Sequence, residues 1–174
     1  MIEYSTPKIV ANPAGSDVQL TREQLWQSLM WKVEYPTLFV PPIKDCTVLM
    51  TFPDGVLREI LHRDSVGEEL IQERIFVEPM KSITFLRLNG TVYGRIINLV
   101  ETNDGGELTL RFLFTLALAG KKHGGPEEAA YQEEFATGYI RAVNGTLEAT
   151  REYVRTGIDP TLALAKAKSE SVSR

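Results

Sequence analysis

One acidic residue falls on a strand face that is otherwise apolar, and its type suits acid–base chemistry. Glu73 lies in the alternating run ELIQERIFVE (69–78), on the same face as Ile71, Ile75 and Val77. A carboxyl group on an apolar wall is desolvated, so we expect the pKa of Glu73 to rise toward the range useful for general acid–base catalysis. Glu73 is therefore the first candidate catalytic residue.

An amide and a guanidinium could assist that chemistry. Asn98 shares a predicted inward face with Ile96, and an inward amide can hold a carbonyl or hydroxyl group of a ligand. Arg58, if it points inward, could pair with Glu73 or stabilise a ligand carboxylate or enolate. The inward face of its strand, 56–63, stays open because both faces carry charge. These three residues could therefore serve as a structural ion pair plus a structural amide, as ligand-orienting groups, or as catalysts.

Large apolar residues supply the walls of a predicted ligand cavity. In the last strand, Thr109 and Arg111 prefer water, which directs the alternate residues inward. Three aromatic residues form an i, i+4, i+8 stripe on the helix that follows. The predicted ligand-binding residues are Ile71, Ile75, Ile96, Leu110, Phe112, Phe114, Tyr131, Phe135 and Tyr139.

Composition limits the remaining classes of function. The 174 residues carry a formal net charge of −4 without a large basic block, so no nucleic-acid partner is predicted. The single cysteine and the two distant histidines lack metal-ligand spacing, and neither a metal site nor another cofactor is predicted. With no signal-peptide pattern and no apolar run of about 18 residues, we expect a cytoplasmic protein without a membrane span. The oligomeric state stays open.

Six strand-like runs follow one another with short turns. Pro53-Asp54-Gly55 and Asn89-Gly90 are turn sequences with a defined backbone preference. Connections this short cannot join parallel strands, so we predict an antiparallel meander. The predicted strands are 46–52, 56–63, 69–78, 82–88, 91–101 and 107–118.

Two helices flank these strands. Thr21 and Gln24 form a capping box before a helix at 22–34, and Pro36 ends that helix or begins a second short one. A short strand is expected at 7–11, and one long helix at 127–156.

This element order predicts an α+β helix-grip fold, in which a six- to seven-stranded curved antiparallel sheet wraps on the long C-terminal helix. Residues 1–157 would form a single domain and 158–174 a mobile extension.

Several segments carry a resemblance to a known family. They are LTREQLWQSLMWKVEYPTLFVP (20–41), VLREI (56–60), ERIFVEP (73–79) followed by SITF, and the paired strands GRIINLV and GELTLRFLF. Across about residues 7–157 the sequence resembles the AtaL-like branch of the START-like, birch-pollen-allergen-like (SRPBCC) superfamily, found in bacteria and in fungal secondary-metabolite gene clusters. The resemblance implies a helix-grip fold and a hydrophobic ligand pocket.

Two main functional hypotheses follow. The first is binding of a hydrophobic small molecule, such as a polyketide, alkaloid or lipid-like compound. The alternative is a cofactor-free cyclase, dehydratase or isomerase of secondary metabolism, in which Glu73 moves a proton and Asn98 or Arg58 stabilises oxyanion charge. Thr115 and Leu116 replace the acidic–aromatic pair that often ends the family's last strand, which predicts a less polar pocket mouth. A third hypothesis is an interaction module with a filled core.

Overall fold

A computed structural model describes residues 1–64, 67–162, 164 and 169–170 of the chain. Their elements up to Thr156 are two α-helices, one short 3-10 helix (Pro36–Leu38) and eight strands. The helices are α1 (Arg22–Glu34) and α2 (Pro126–Thr156). The strands are β1 (Ile2–Ser5), β2 (Ile9–Val10), β3 (Ile43–Phe52), β4 (Gly55–Arg63), β5 (Glu68–Glu78), β6 (Ser82–Arg87), β7 (Val92–Thr102) and β8 (Leu108–Leu118).

The strands form one antiparallel sheet. Seven of them are ordered β1-β8-β7-β6-β5-β4-β3, and the short β2 pairs with β8 beyond the end of β1. From β3 to β8 each strand pairs with the next in the chain, as short turns require. The six predicted strands are confirmed, and with the long α2 the α+β helix-grip prediction is confirmed as well.

Local sequence signals set the helix ends. The Thr21 hydroxyl accepts a hydrogen bond from the Gln24 amide (3.1 Å), and the Gln24 side chain accepts one from the Thr21 amide (2.9 Å), so the predicted capping box is confirmed. Pro36 begins the 3-10 helix, while Gly157 closes α2 in the left-handed conformation. Neither described helix is long and apolar enough to cross a membrane.

The N-terminal edge differs from the sequence prediction. The strand predicted at 7–11 is present as β2, and the chain forms an additional strand, β1, before it; both pair with β8. The prediction that Thr109 prefers water is wrong, because its side chain is completely buried. Thr109 pairs with Val10 on one side and Glu101 on the other, so the added strand β2 covers a residue that would otherwise lie at a sheet edge.

The main hydrophobic core lies between the sheet and the two helices. Leu25 and Leu29 of α1 and Val143 and Leu147 of α2 are fully buried in it, as is Leu110 of β8. A second, smaller core lies at the other end of the sheet, where β3, β4 and β5 meet. Its buried members are Ile43, Cys46, Ile60 and Ile71.

The segment after α2 is described only in part. Thr161 is buried, whereas Leu162 is 65% exposed. Residues 163, 165–168 and 171–174 of the predicted extension lie outside the described residues. The boundary at 157 and the mobility of 158–174 therefore stay predictions.

Candidate functional site

The inner sheet face carries the predicted polar residues among apolar neighbours. Glu73 and Asn98 are buried, as the strand alternation predicts. The face of β4 that the sequence left open is now defined, because Val56, Arg58 and Ile60 are buried. All three predicted catalytic residues therefore lie on the same side of the sheet.

Arg58 and Glu73 form a buried ion pair. They lie opposite each other in the β4–β5 register, and each is only 2% exposed. Arg58 Nε and Nη2 both donate to Oε2 of Glu73, at 2.9 and 2.7 Å. Arg87, the register partner of Glu73 on β6, donates through Nε to the other carboxylate oxygen at 3.2 Å. The prediction that Arg58 could pair with Glu73 is therefore confirmed, and the role of the pair stays open.

Arg58 also connects the sheet to the end of α1. Its Nη1 donates to the backbone carbonyls of Lys32 (2.9 Å) and Val33 (2.5 Å). The last carbonyls of a helix have no intrahelical partner and form the negative end of its dipole, so a guanidinium is well suited to that position. Arg58 thus fixes the C-terminal turn of α1 against β4 and β5.

The charge state of Glu73 differs from the sequence prediction. Burial alone would raise its pKa, but the positive charges and hydrogen bonds of Arg58 and Arg87 outweigh burial and hold the pKa of Glu73 below its usual value. The predicted rise is wrong because it weighed only the apolar wall, whereas the pairing with Arg58 that the sequence left open, together with Arg87, acts in the opposite direction. Glu73 is an ionised, fully engaged carboxylate.

Lys32 is a buried polar residue that the sequence reasoning missed. It lies on the buried stripe of α1 with Leu25, Leu29 and Val33. Its Nζ donates to Oδ1 of Asn98 at 3.0 Å, although the two residues are 66 positions apart. The helical spacing of Leu25, Leu29 and Lys32 was the available signal, because it places a lysine on the inward stripe.

The surroundings of Lys32 are mostly apolar. Its Nζ lies 4.3 Å from the centre of the Phe112 ring and 5.7 Å from that of Phe85. Burial and the charge of Arg58 lower the pKa of Lys32 to about 7, and the charge of Glu73 offsets only part of this effect. Lys32 thus exists as a mixture of amine and ammonium near neutral pH, which is unusual for a lysine.

Asn98 lies between the polar cluster and the apolar residues of the inner sheet face. It is completely buried, and its Oδ1 is occupied by Lys32. Its Nδ2 has no hydrogen-bond partner among the described residues. An unpaired buried amide costs about 1–3 kcal/mol, so a ligand oxygen bound at Nδ2 would recover that energy. The arrangement can therefore bind a carbonyl or enolate oxygen.

The predicted aromatic stripe forms direct contacts with the sheet. Tyr139 stacks on Phe114 at a centroid distance of 3.7 Å, and Tyr131 stacks on Phe135 at 4.2 Å. The sequence predicts that the stripe on α2 and the phenylalanines of β8 form walls of one ligand cavity, facing each other across it. Tyr139 and Phe114 are not separated by a cavity, because their rings touch. Burial raises the pKa of both tyrosines.

The predicted apolar lining residues divide between the two cores. Ile75 and Leu110 are fully buried in the main core with Phe112, and the partly buried Ile96 packs against it. Ile71 belongs instead to the smaller core, with Ile60 and Cys46. The predicted ligand wall is thus one continuous sheet face with the polar cluster between its two apolar parts.

A surface depression of about 200 Å³ lies at the end of α1. Its volume is below the usual range of small-molecule sites. None of the predicted lining residues contributes to it. It is lined by Glu34, Tyr35, Thr37, Lys44, Asp45, Cys46 and Leu164.

An antiparallel sheet packed against a long C-terminal helix defines the helix-grip class of proteins. Residues 2–157 match the family model AtaL, described as acetylaranotin biosynthesis cluster protein L, and the chain belongs to this family. The resemblance noted in the sequence is therefore confirmed.

Solved structures with the same fold include an aromatase/cyclase. The ZhuI aromatase/cyclase from a Streptomyces species has a TM-score of 0.66 and 16% identity, with 90% of this chain and 96% of that chain covered. The di-domain ARO/CYC StfQ from the steffimycin pathway has a TM-score of 0.61 and 13% identity, over 90% of this chain and 52% of that chain. Ara h 8.0201 has a TM-score of 0.54 and 12% identity, over 85% and 97%. No curated protein sequence matches the chain significantly.

Proposed function

We propose that the protein binds a hydrophobic small molecule bearing a carbonyl or acidic oxygen between the inner sheet face and α2. Polyketides, alkaloids and lipid-like compounds are the candidate ligands. The observation that carries this proposal is the completely buried Asn98, whose Nδ2 has no partner among the described residues. The apolar residues beside Asn98 would contact the hydrophobic part of the ligand.

The charges of the cluster favour an electron-rich ligand group. Arg58 and Arg87 bring two positive charges against the one negative charge of Glu73, even when Lys32 is neutral. An enolate, a phenolate or a polarised carbonyl would complement that excess. The ion pair itself holds the end of α1 on the sheet, so it keeps Lys32 and Asn98 in a fixed geometry.

Direct ligand titration tests the binding proposal. The probe is 1-phenyl-1,3-butanedione, an aromatic 1,3-diketone, and the readout is isothermal titration calorimetry. Asn98→Leu keeps the branched shape of the side chain with a somewhat larger volume and removes the amide, so we expect it to weaken binding at least tenfold. Asn144 lies exposed on α2, and Asn144→Leu is the matched control. Equal affinities of wild type, Asn98→Leu and Asn144→Leu would contradict the proposal.

A second candidate function is a cofactor-free cyclisation, dehydration or isomerisation of such a ligand. The family description and the aromatase/cyclase activities named for similar folds favour this class. Asn98 and Arg58 would stabilise the developing oxyanion. Glu73 would accept the proton in its ionised form, although a low pKa makes it a weak base.

Product analysis with a poly-β-ketone substrate tests the enzyme hypothesis. Glu73→Gln should abolish turnover, measured by liquid chromatography with mass spectrometry at a temperature where circular dichroism shows the variant folded and the calorimeter shows that it still binds. Glu101→Gln is the matched control, because Glu101 forms an ion pair with Arg111 on the same sheet. Unchanged turnover in Glu73→Gln would reject Glu73 as the proton acceptor. The predicted cytoplasmic location stays a prediction that cell fractionation can test.

A further inference from the structure

We propose that Lys32 is a nucleophile that forms an imine with a ketone or aldehyde carbon of the bound ligand. The proposal rests on the proposed function and deepens it, because it names the ligand class as a carbonyl compound. It also assigns to Lys32 a covalent role in the binding site.

The position of Lys32 sets it apart from an ordinary structural lysine. Its side chain is buried, and its Nζ lies over the Phe112 ring and beside that of Phe85. The hydrogen bond to Asn98 Oδ1 uses one donor of the ammonium group, which has three. The other N–H groups are available to a ligand that contacts the same apolar wall.

No carboxylate of the described residues forms an ion pair with Lys32. Glu73, whose charge acts on Lys32, gives one carboxylate oxygen to Arg58 and the other to Arg87. The charged residues that face Lys32 are Arg58 from β4 and Glu73 from β5, while β7 and β8 contribute the uncharged Asn98 and Phe112. A lysine in a structural ion pair is held as ammonium, whereas this environment favours the free amine.

The amine form can carry out the reaction at neutral pH. Burial and the Arg58 charge lower the pKa of Lys32 to about 7, so a large share of the side chain has a free lone pair there. An ordinary lysine, with a pKa near 10.4, has almost none at that pH. A desolvated lysine in an apolar pocket is a recognised way of activating an amine nucleophile.

The chemistry balances without any further reactant. The Nζ lone pair forms a bond to the carbonyl carbon, the C=O π electrons move to the oxygen, and one amine proton is transferred to that oxygen. The carbinolamine then loses its hydroxyl group with the second amine proton as water, which leaves C=N. Asn98 Nδ2 has no partner among the described residues. It can therefore donate a hydrogen bond to the ligand oxygen while negative charge develops on that oxygen.

A 1,3-diketone makes the adduct visible. Its imine tautomerises to an enaminone conjugated with the remaining carbonyl group, which absorbs in the near ultraviolet. Wild-type protein is mixed with 1-phenyl-1,3-butanedione at about pH 7, where Lys32 is partly neutral. We expect one equivalent of the new band and, by peptide mass mapping, a single modified residue, Lys32.

Matched variants separate Lys32 from the other lysines. Lys32→Met and Lys32→Arg remove the nucleophile, and we expect each to lower the band at least tenfold. Lys81, which is 66% exposed, serves as the control, and Lys81→Met should retain the full band. Circular dichroism checks the fold of every variant, and the wild-type peptide map supplies the answer if a variant does not fold.

The possible outcomes separate this inference from the proposed function. Calorimetric binding of the diketone to wild type and Lys32→Met, with no band in either, would overturn the imine and leave the binding proposal standing. A band of equal size in Lys32→Met, or mapped to another lysine, would also overturn the imine. Absence of any binding would contradict both proposals together.

Discussion

Two regions lie side by side on the buried sheet face and are stabilised in different ways. The charged region on β4 to β7 consists of Arg58, Glu73, Arg87 and Asn98, together with Lys32 from α1. The aromatic region joins β1 and β8 to α2. Its rings are Tyr4, Phe112, Phe114 and Tyr139.

The difference between the two regions shows where hydrogen-bond donors remain available for a ligand. In the aromatic region Phe114 and Tyr139 stack face to face, so their apolar surfaces already satisfy one another. In the charged region the ion pair is complete, but the amide of Asn98 and the amine of Lys32 retain spare donors. A ligand therefore gains specific hydrogen bonds from the charged region and mainly apolar contact from the aromatic one.

The largest expected effect comes from breaking the charged region. Glu73→Gln leaves Arg58 buried without its counter-charge, so we expect the free energy of unfolding to fall by about 3–5 kcal/mol. Urea unfolding monitored by fluorescence measures this change. Glu101→Gln is the control, because Glu101 and Arg111 form a pair with side chains about a quarter exposed. Glu101→Gln should lose less than about 1 kcal/mol. Equal losses in the two variants would contradict the expectation that the buried ion pair matters more for stability than the partly exposed one.

The same comparison predicts a dependence on pH. The pKa of Glu73 is lower in the folded protein than in the unfolded chain, so its stabilisation is complete above the unfolded value of 4.5 and is lost as pH falls below it. Glu73→Gln should therefore lose part of the acid sensitivity of wild type. Acid unfolding curves of both proteins provide the measurement, and coincident curves would contradict the depressed pKa.

Breaking the aromatic region should cost nearly as much without that pH dependence. Phe114→Ala removes the ring that stacks on Tyr139, and we expect a loss of about 3 kcal/mol. The loss should be the same in acid and at neutral pH, because no titrating charge is involved. A strongly pH-dependent loss would show that the two regions are coupled.

Lys32→Met should change stability less than the two substitutions above and in the opposite direction, because the variant should become more stable relative to wild type as pH falls. The pKa of Lys32 falls from 10.5 in the unfolded chain to about 7 in the fold, so the unfolded state binds more protons between these values. Wild type should therefore lose about 2 kcal/mol relative to Lys32→Met as pH falls from about 9 to about 7. Parallel urea titrations at both pH values test this, and a constant difference would contradict the depressed pKa.

The smallest effect should come from Tyr139→Phe. The hydroxyl of Tyr139 is buried and interacts with the hydroxyl of Tyr131, while its ring stacks on Phe114. Removing the hydroxyl keeps the stack and loses only this one polar interaction, so we expect the free energy of unfolding to change by less than about 1 kcal/mol. Tyr93→Phe, at an exposed position, is the control. A loss of several kcal/mol in Tyr139→Phe alone, measured by thermal unfolding, would contradict the expectation that the stack, and not the hydroxyl, holds Tyr139 in place.

The sequence alone determined the elements and most of their faces. Strand alternation correctly placed Glu73 and Asn98 inward, because a period of two is imposed by the pleat of every strand. The capping box at Thr21 fixed the start of α1 for an equally local reason. The family resemblance, now confirmed, rests on the same segments.

Only the tertiary structure decided how the charges combine. The face of Arg58 stayed open because both faces of β4 carry charge, and the inward choice depends on the carbonyls at the end of α1. The pKa of Glu73 moved opposite to the prediction, since burial and neighbouring charges have opposite signs and only distances decide between them. Lys32 and Asn98 meet across 66 residues. Local sequence patterns determine which face of a helix or strand is buried. The pKa values and hydrogen bonds of the buried polar groups depend on which buried faces the fold packs against each other.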